Sequence, residues 1–224
     1  MKKNGKKYFY ILSVIPEAIK AYTQASILGR AQKKGLIKVE CADIRRWTRD
    51  AHKTVDDAPF GGGPGMVLKV GSIYEAVTAI RSKIKNKKEK TRIILFSTRG
   101  KLFDEHEAQR LSKYDRLILI CGRYEGVDER VATYVADEEL SVGDAVLSGG
   151  ELPALMVVDA IARKVPGVLG KEESLEENKG SYPVFTRPQS FVPKKGLRAW
   201  NVPEVLLSGD HKRIEKWREE NGKR

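Results

Sequence analysis

The stretch 116–130, RLILICGRYEGVDER, decides the fold class, because it joins a buried strand to a helix through a glycine-bearing corner. Similar corners stand at 97–101 (STRGK) and 141–155 (SVGDAVLSGGELPAL). Strands that alternate with helices predict an α/β fold with a mostly parallel sheet. Ligands of such sheets bind outside the carboxyl ends of the strands, so we expect the three corners to converge on one small-molecule pocket.

The charge of the chain favours a polyanionic partner. The 224 residues include 42 Lys and Arg against 30 Asp and Glu, which gives a net charge of +12. Much of it is clustered at 81–92 (RSKIKNKKEKTR) and in the two tails. Clustered positive charge is typical of proteins that bind polyphosphates, so nucleic acid is the favoured partner and a membrane surface is the main alternative. Every apolar run is shorter than the roughly 18 residues of a membrane helix.

Cysteine and histidine usage gives little sign of metal or thiol chemistry. Cys41 and Cys121 are the only cysteines and lie far apart in the sequence. They form neither a disulfide framework nor a metal-ligand motif, so a cytoplasmic location is expected. The three histidines are scattered, and no metal site made by side chains alone is expected.

The glycine stretch 57–66, DAPFGGGPGM, is a second candidate site. It holds four glycines and two prolines inside the long loop 43–70, and long loops in compact domains are usually functional. It is neither a Walker A loop nor a dinucleotide fingerprint, since no Lys-Ser/Thr pair follows it and no strand directly precedes it. Two interpretations remain: a tight surface turn, or a turn that faces a ligand because glycine lets the backbone approach closely.

The sequence resembles the bacterial tRNA (guanine-N1-)-methyltransferase family, often called TrmD, from about Phe9 to Arg218. The similar segments are, in order, DDAPFGGGPGM (56–66), CGRYEGVDERV (121–131), SVGDAVLSGGELPAL (141–155), ARKVPGVLG (162–170), TRP (186–188) and VPEVLLSGDH (202–211). The resemblance implies a SPOUT-class α/β domain with a deep trefoil knot at 1–165. It also implies a linker at 166–190 and a short, partly helical, tRNA-contacting segment at 191–224.

The resemblance implies methyl transfer from S-adenosylmethionine to N1 of the guanosine immediately 3′ of the tRNA anticodon. The enzyme would be a homodimer with its active site at the subunit interface. Asp56, Gly62 and Gly63 would face the target nucleotides. The residues implied for cofactor binding are Phe96, Ser97, Thr98, Gly100, Gly122, Tyr124, Glu125, Val142, Gly143, Asp144, Ala145, Val146, Leu147, Gly149 and Gly150.

Guanine N1 carries a proton and becomes nucleophilic only when a base removes it, while a cation stabilises the negative charge that grows on the carbonyl oxygen of the guanine. Arg163 matches the family arginine in the cationic role; the alternative is a charge that complements a helix C-terminus. Asn178 stands where the family has its general-base aspartate, and an amide cannot act as a base. Glu177 or Glu176 could substitute, and Glu177 is the expected base. Mg²⁺ is a second candidate cofactor, because tRNA folding and base deprotonation both favour it.

Other departures from the family pattern keep two alternatives open. Thr98-Arg99-Gly100 replaces the usual Pro-Gln-Gly, Ala58 replaces an arginine, and the sequence ends soon after KWREE, 216–220. One alternative is a catalytically weak tRNA- or cofactor-binding protein of the same fold. The other is a SPOUT methyltransferase of another RNA, which would contact that RNA through 81–92.

Overall fold

The computed structural model describes residues 6–86, 88–169 and 181–222. The chain forms two compact units, Met1–Leu169 and Gly170–Arg224. None of the helices in the described part is both long and apolar enough to cross a membrane.

A central parallel sheet organises the first unit. Its strands are β1 (Lys7–Ser13), β2 (Ile37–Asp43), β5 (Thr91–Leu102), β6 (Arg116–Ile120) and β7 (Glu138–Ser141), while β3 (Asp56–Asp57) and β4 (Val67–Leu68) form a separate antiparallel pair. The order in the central sheet is β2-β1-β6-β5-β7, and each neighbouring pair is parallel. The mostly parallel α/β sheet predicted from the alternation of strands and helices is therefore confirmed.

Helices cover both faces of the sheet. They are α1 (Pro16–Thr23), α2 (Ser26–Lys33), α3 (Val70–Ser82), α4 (Glu105–Leu111), α5 (Glu129–Tyr134) and α6 (Glu151–Ala162), with a 3₁₀ turn at Ile44–Trp47. Leu117 and Leu119 of β6 join the core beneath α1, α2, α4 and α6, whereas Ile118 and Ile120 join the core beneath α3 and α5. Burial on both faces explains why β6 is apolar throughout.

Two helix boundaries differ from those that the sequence predicts. The pattern after Pro16 predicts one helix over about 17–28 that ends at Gly29, whereas the structure has two helices, α1 and α2, and Gly29 lies within the second. A Cβ on Gly29 would lie 2.1 Å from the carbonyl oxygen of Gln24, so this glycine permits a close backbone approach and does not end a helix. Helix α3 begins at Val70, before the Ser72 predicted to cap it.

Two residues of strand β5 are in register with the same residue of β7. Phe96 and Lys101 are both in register with Leu140, so the four residues between them bulge away from the ladder. The bulge returns at Gly100, where a Cβ would lie 2.5 Å from the carbonyl carbon of Leu140. Only glycine allows the two backbones to come this close.

The second unit contains a short hairpin and two helices. Strands β8 (Ser190–Phe191) and β9 (Trp200–Asn201) pair antiparallel and are followed by α7 (Glu204–Leu207) and α8 (His211–Asn221). Asp210 caps α8 by accepting hydrogen bonds from the backbone N–H groups of Lys212 and Arg213. Helix α8 covers the stretch predicted to be helical, 210–220.

A buried carboxylate at Glu107 makes the stability of the first unit depend on pH. Glu107 is 1% exposed, and it accepts hydrogen bonds from Arg110 Nη2 at 2.6 Å and Lys101 Nζ at 2.7 Å. The hydrogen bond from Arg110 is the main cause that lowers the pKa of Glu107 from 4.5 to about 2. Because the folded-state pKa is the lower one, this stabilisation is complete above the unfolded pKa and is lost as the pH falls through about 2.

We expect Glu107→Gln to lower the free energy of unfolding at pH 7 by about 3 kcal/mol, and the difference from wild type to close as the pH falls from about 4.5 to about 2. Denaturant unfolding at steps across this range measures it. Glu17→Gln is the matched control, because Glu17 is exposed and forms no ion pair within the described residues. A difference for Glu107→Gln that stays constant with pH would contradict the prediction.

Candidate active site

A cavity of about 540 Å³ opens at the carboxyl ends of β5, β6 and β7. Residues from all three glycine-bearing corners line it, because parallel strands bring their carboxyl ends to one edge of the sheet. The volume lies within the range of about 300–1,000 Å³ that is usual for sites that hold a small ligand. The three corners therefore converge on one pocket, as the sequence predicted.

Thirteen of the fifteen residues implied for cofactor binding line this cavity. They are Phe96, Ser97, Thr98, Gly122, Tyr124, Glu125, Val142, Gly143, Ala145, Val146, Leu147, Gly149 and Gly150. The other two are not in the lining: Gly100 lies against the backbone of Leu140, and Asp144 is exposed. Their roles stay predictions.

Twelve residues of the lining are not among the fifteen implied for the cofactor. Eight of them lie within the three corners that were predicted to converge, namely Arg99, Arg123, Gly126, Val127, Glu129, Ser141, Ser148 and Pro153. The other four, Leu95, Ala132, Glu139 and Leu140, were not predicted. Ala132 and Glu139 carry no sequence signal, because only the packing of α5 and β7 brings them to the cavity.

A buried ion pair fixes the corner after β6. Glu151, the first residue of α6, is 4% exposed and accepts hydrogen bonds from Ser13 Oγ at 2.6 Å and Arg123 Nε at 3.2 Å. These contacts tie the end of β1, the corner and the start of α6 together. Cys121 lies beside them fully buried, and burial raises the pKa of its thiol well above the usual value. We therefore assign Cys121 to the core and not to thiol chemistry.

The glycine stretch lies directly beside the cavity. The N–H of Glu125 donates to the carbonyl of Met66 at 3.0 Å, and a Cβ on Gly65 would lie 2.4 Å from Cγ of Glu125. Tyr124 has a φ of +61°, a left-handed conformation that is costly for a bulky residue and is often found at functional sites. Of the two interpretations left open by the sequence, the geometry therefore favours a turn that faces a ligand.

Carboxylates give one wall of the cavity an acidic character. Glu125, Glu129 and Glu139 all line it. Arg99 pairs with Glu129 Oε2 at 2.6 Å and approaches Glu139 Oε2 at 3.7 Å. Within the described part of the chain, Glu139 Oε2 is buried and accepts no hydrogen bond. The lining also holds a second cation, Arg123, which is paired with the buried Glu151. The three lining carboxylates therefore leave an excess of negative charge that favours a ligand carrying positive charge.

A second cavity, of about 1,120 Å³, adjoins the first and shares Val127 and Glu129 with it. Three aromatic side chains line it, those of Trp47, Phe60 and Tyr74. Phe60 is fully exposed at the start of the glycine stretch. Exposed aromatic rings beside charged groups are suited to stacking on unpaired nucleic-acid bases.

The residues implied for the target nucleotides lie close to this second cavity but not in its lining. Asp56 is in register with Leu68 in the β3–β4 pair. Its neighbour Asp57 is in the lining and pairs with Lys69 at 3.2 Å. Gly62 and Gly63 both have positive φ and no atom within 4 Å of an added Cβ, so they face open space. Their contact with nucleotides stays a prediction.

Arg163, the residue implied for the cationic role, is not at the cavity of its own chain. Arg163 is the C-cap of α6, whereas Gly150, the N-cap, is in the cavity lining. Thirteen helical steps separate the two residues by about 20 Å, which is far beyond the reach of an arginine side chain. Glu177 and Asn178 lie outside the described residues.

The fold and the cavity define an α/β protein with a cavity of small-ligand size at the carboxyl edge of a parallel sheet. In the described part of the chain, no group of three or more His, Cys, Asp or Glu side chains could hold a metal ion. The family model for the tRNA (guanine-1)-methyltransferase TrmD matches residues 7–224. The chain belongs to this family.

Relatives support the same assignment. The chain is 47% identical over 213 residues to a tRNA (guanine-N(1)-)-methyltransferase of Dictyoglomus turgidum, with 93% of this chain and 82% of the relative covered. It is 48% identical over 215 residues to the protein of the same name from an Anaeromyxobacter species, with 93% and 82% covered. A third relative of that name, from Pseudoalteromonas atlantica, is 42% identical over 224 residues, with 98% and 81% covered.

Proposed function

We propose that this protein transfers a methyl group from S-adenosylmethionine to N1 of the guanosine immediately 3′ of the anticodon in tRNA. The observation that carries the proposal is the cavity at the three glycine-bearing corners, in a chain of the TrmD family. The glycine stretch and the aromatic second cavity adjoin it, so a nucleotide can reach its mouth.

The residues of the first cavity suit S-adenosylmethionine, which supplies a methyl group activated by a positively charged sulfur. The glycine corners offer backbone N–H and C=O groups to an adenosine, because no side chain stands in front of them. The acidic wall made by Glu125, Glu129 and Glu139 attracts the cationic end. Glu139 Oε2, buried beneath Arg99 without a hydrogen bond, adds to the negative potential.

Residues of this chain must also prepare guanine N1. A base takes the N1 proton, and the resemblance to the family assigns that task to Glu177. A cation then stabilises the negative charge on the carbonyl oxygen of the guanine while N1 accepts the methyl group. Arg163 is the proposed cation, on the same ground. Mg²⁺ is a further candidate, and we propose no ligands for it.

The active enzyme is proposed to be a homodimer. Helix α6 is apolar almost all round, a composition that predicts burial, yet Leu152 is 59% and Met156 49% exposed in the single chain. An apolar helix face of this kind needs a partner, and a second copy would provide one. It would also bring another Arg163 into reach of the cavity, which the arginine of the same chain cannot enter.

Three other features of the family are proposed for this chain. A trefoil knot near the cavity is proposed from the resemblance to the family alone. The segment 191–224 would contact tRNA, and its exposed Phe191 and Trp200 rings, 5.7 Å apart, are suited to that. A protein that modifies tRNA would work in the cytoplasm.

Transfer of labelled methyl from S-adenosylmethionine to a bacterial tRNA transcript tests the proposal. We expect incorporation into a transcript with guanosine 3′ of the anticodon and none when adenosine replaces it. Cofactor binding without incorporation would favour the catalytically weak binding protein. Incorporation that survives the replacement, or that needs a different RNA, would favour a methyltransferase with another target.

A further inference from the structure

We propose that the exposed turn between α3 and β5 is a second contact for tRNA. The turn binds the phosphate backbone of the tRNA at a place distant from the target nucleotide. The basic turn is defined here as residues 81–90, without Lys87, which is outside the described residues. The inference rests on the proposed function, since it takes tRNA as the substrate.

The basic turn carries cations that the fold does not use. Its basic residues are all exposed, namely Arg81, Lys83, Lys85, Lys88 and Lys90. Among the described residues none of these five forms an ion pair or a cation–π contact. The nearby acids are already engaged: Glu89 pairs with Arg116, and Asp115 accepts a hydrogen bond from the backbone N–H of Lys90 at 2.7 Å.

Helix stabilisation accounts for only part of this charge. Helix α3 ends at Ser82, so Arg81 and Lys83 lie where a cation complements the helix dipole. Lys85, Lys88 and Lys90 lie beyond the last turn, where that effect has faded. Crowding like charges on one turn opposes folding. An external polyanion is therefore the partner that these three side chains fit.

The position of the turn separates it from the chemistry. The turn enters β5 at Thr91, at the amino edge of the sheet, whereas the cavity begins at Leu95 and Phe96. Five strand steps of about 3.3 Å place the two about 17 Å apart. A tRNA whose target base enters the cavity would therefore meet the turn with another part of its backbone.

The chemistry of the turn specifies phosphate and not base edges. Lysine presents a compact, hydrated charge without the planar fork that reads a base or grips a phosphate at two points. Contacts of this kind position a nucleic acid but carry no sequence information. The basic turn should therefore strengthen binding and speed encounter, and it should leave the choice of nucleotide and the methyl-transfer step unchanged.

The test compares two triple variants of the full chain that lose the same charge. One variant is Lys85→Gln, Lys88→Gln and Lys90→Gln. The control is Arg30→Gln, Lys33→Gln and Lys34→Gln, at the exposed end of α2 before the opposite edge strand of the sheet. Binding of tRNA is measured over a series of salt concentrations, and kcat and KM are measured with the same transcript.

We expect the basic-turn variant to bind tRNA about tenfold more weakly, with a salt slope reduced by roughly 2–3, since each phosphate contact contributes about 0.7–0.9. The KM for tRNA should rise while kcat and the KM for S-adenosylmethionine stay as in wild type. The control variant should change the salt slope by less than half as much. If both variants lose tRNA affinity and salt slope equally, the effect comes from net charge alone, and the proposal is overturned.

Two further outcomes would also decide it. Unchanged tRNA affinity, together with loss of binding to vesicles rich in phosphatidylserine, would assign the turn to a membrane surface. If wild type transfers no methyl group, the proposed function fails by itself, and the tRNA-binding comparison still tests the turn.

Discussion

Replacing Gly150 with alanine should abolish binding of S-adenosylmethionine and lower the free energy of unfolding by about 1–3 kcal/mol, the usual cost of overpacking. A Cβ on Gly150 would lie 2.7 Å from Cα of Cys121 and 3.1 Å from the backbone nitrogen of Gly122. The N–H of Gly150 also donates to the carbonyl of Gly122 at 2.9 Å. The added methyl group must therefore push apart two corners that both line the cavity.

Isothermal titration with S-adenosylhomocysteine and denaturant unfolding measure the two effects. Gly71→Ala is the matched control, because Gly71 also lies at the start of a helix but has no atom within 4 Å of an added Cβ. That change should keep cofactor binding and raise stability by up to about 1 kcal/mol. A Gly150→Ala protein that binds the cofactor like wild type would show that the corners tolerate separation.

Gly150 also shows what the sequence can predict of this site. The strand before Cys121 is recognisable as buried because its apolar residues are continuous, and a glycine-bearing corner followed by a helix marks its carboxyl end. Parallel pairing then brings such ends to one edge, so the place of the cavity follows from the sequence. The family motifs added the names of thirteen lining residues.

The rest depends on contacts between distant parts of the chain. Nothing local in the sequence joins Ser13 to Glu151, which are 138 residues apart. Gly29 has the composition of a helix end, but a close approach to Gln24 decides its role. The pairing of both Phe96 and Lys101 with Leu140 is likewise set by the path of β5 through the fold. The periodicity of the sequence does not predict that path. Sequence patterns specify local conformation, whereas these features belong to the tertiary fold.

Helix α6 links the features that point to a second copy of the chain. Its N-terminus closes the cavity at Gly150, and its side exposes Leu152 and Met156. Its C-terminus holds Arg163, about 20 Å along the helix from Gly150 and about 15 Å from Pro153, another residue of the lining. If Arg163 is the cation at the reacting guanine, it must come from another chain, and a twofold-related α6 could supply it to the partner's cavity.

Two substitutions distinguish catalysis within one chain from catalysis across the subunit interface. Arg163→Ala should lower kcat by about a hundredfold or more if the arginine stabilises charge on the base, while cofactor binding stays intact. Ala145→Trp should abolish cofactor binding and leave the arginine intact. Ala145 is an exposed residue of the lining, and a large ring there would fill the cavity. Neither substitution removes buried core, so both variants should keep the stability of wild type.

Co-expression of the two variants with different tags allows the mixed dimer to be purified. Its Arg163→Ala subunit keeps an intact cavity, and its Ala145→Trp subunit keeps an intact arginine. If the arginine acts across the interface, one complete site forms, and the mixed dimer should regain about half of the wild-type activity. If the arginine acts within its own chain, neither site is complete and the mixed dimer stays inactive. The second result would require α6 or the cavity to rearrange, because Arg163 as described cannot reach the cavity of its own chain.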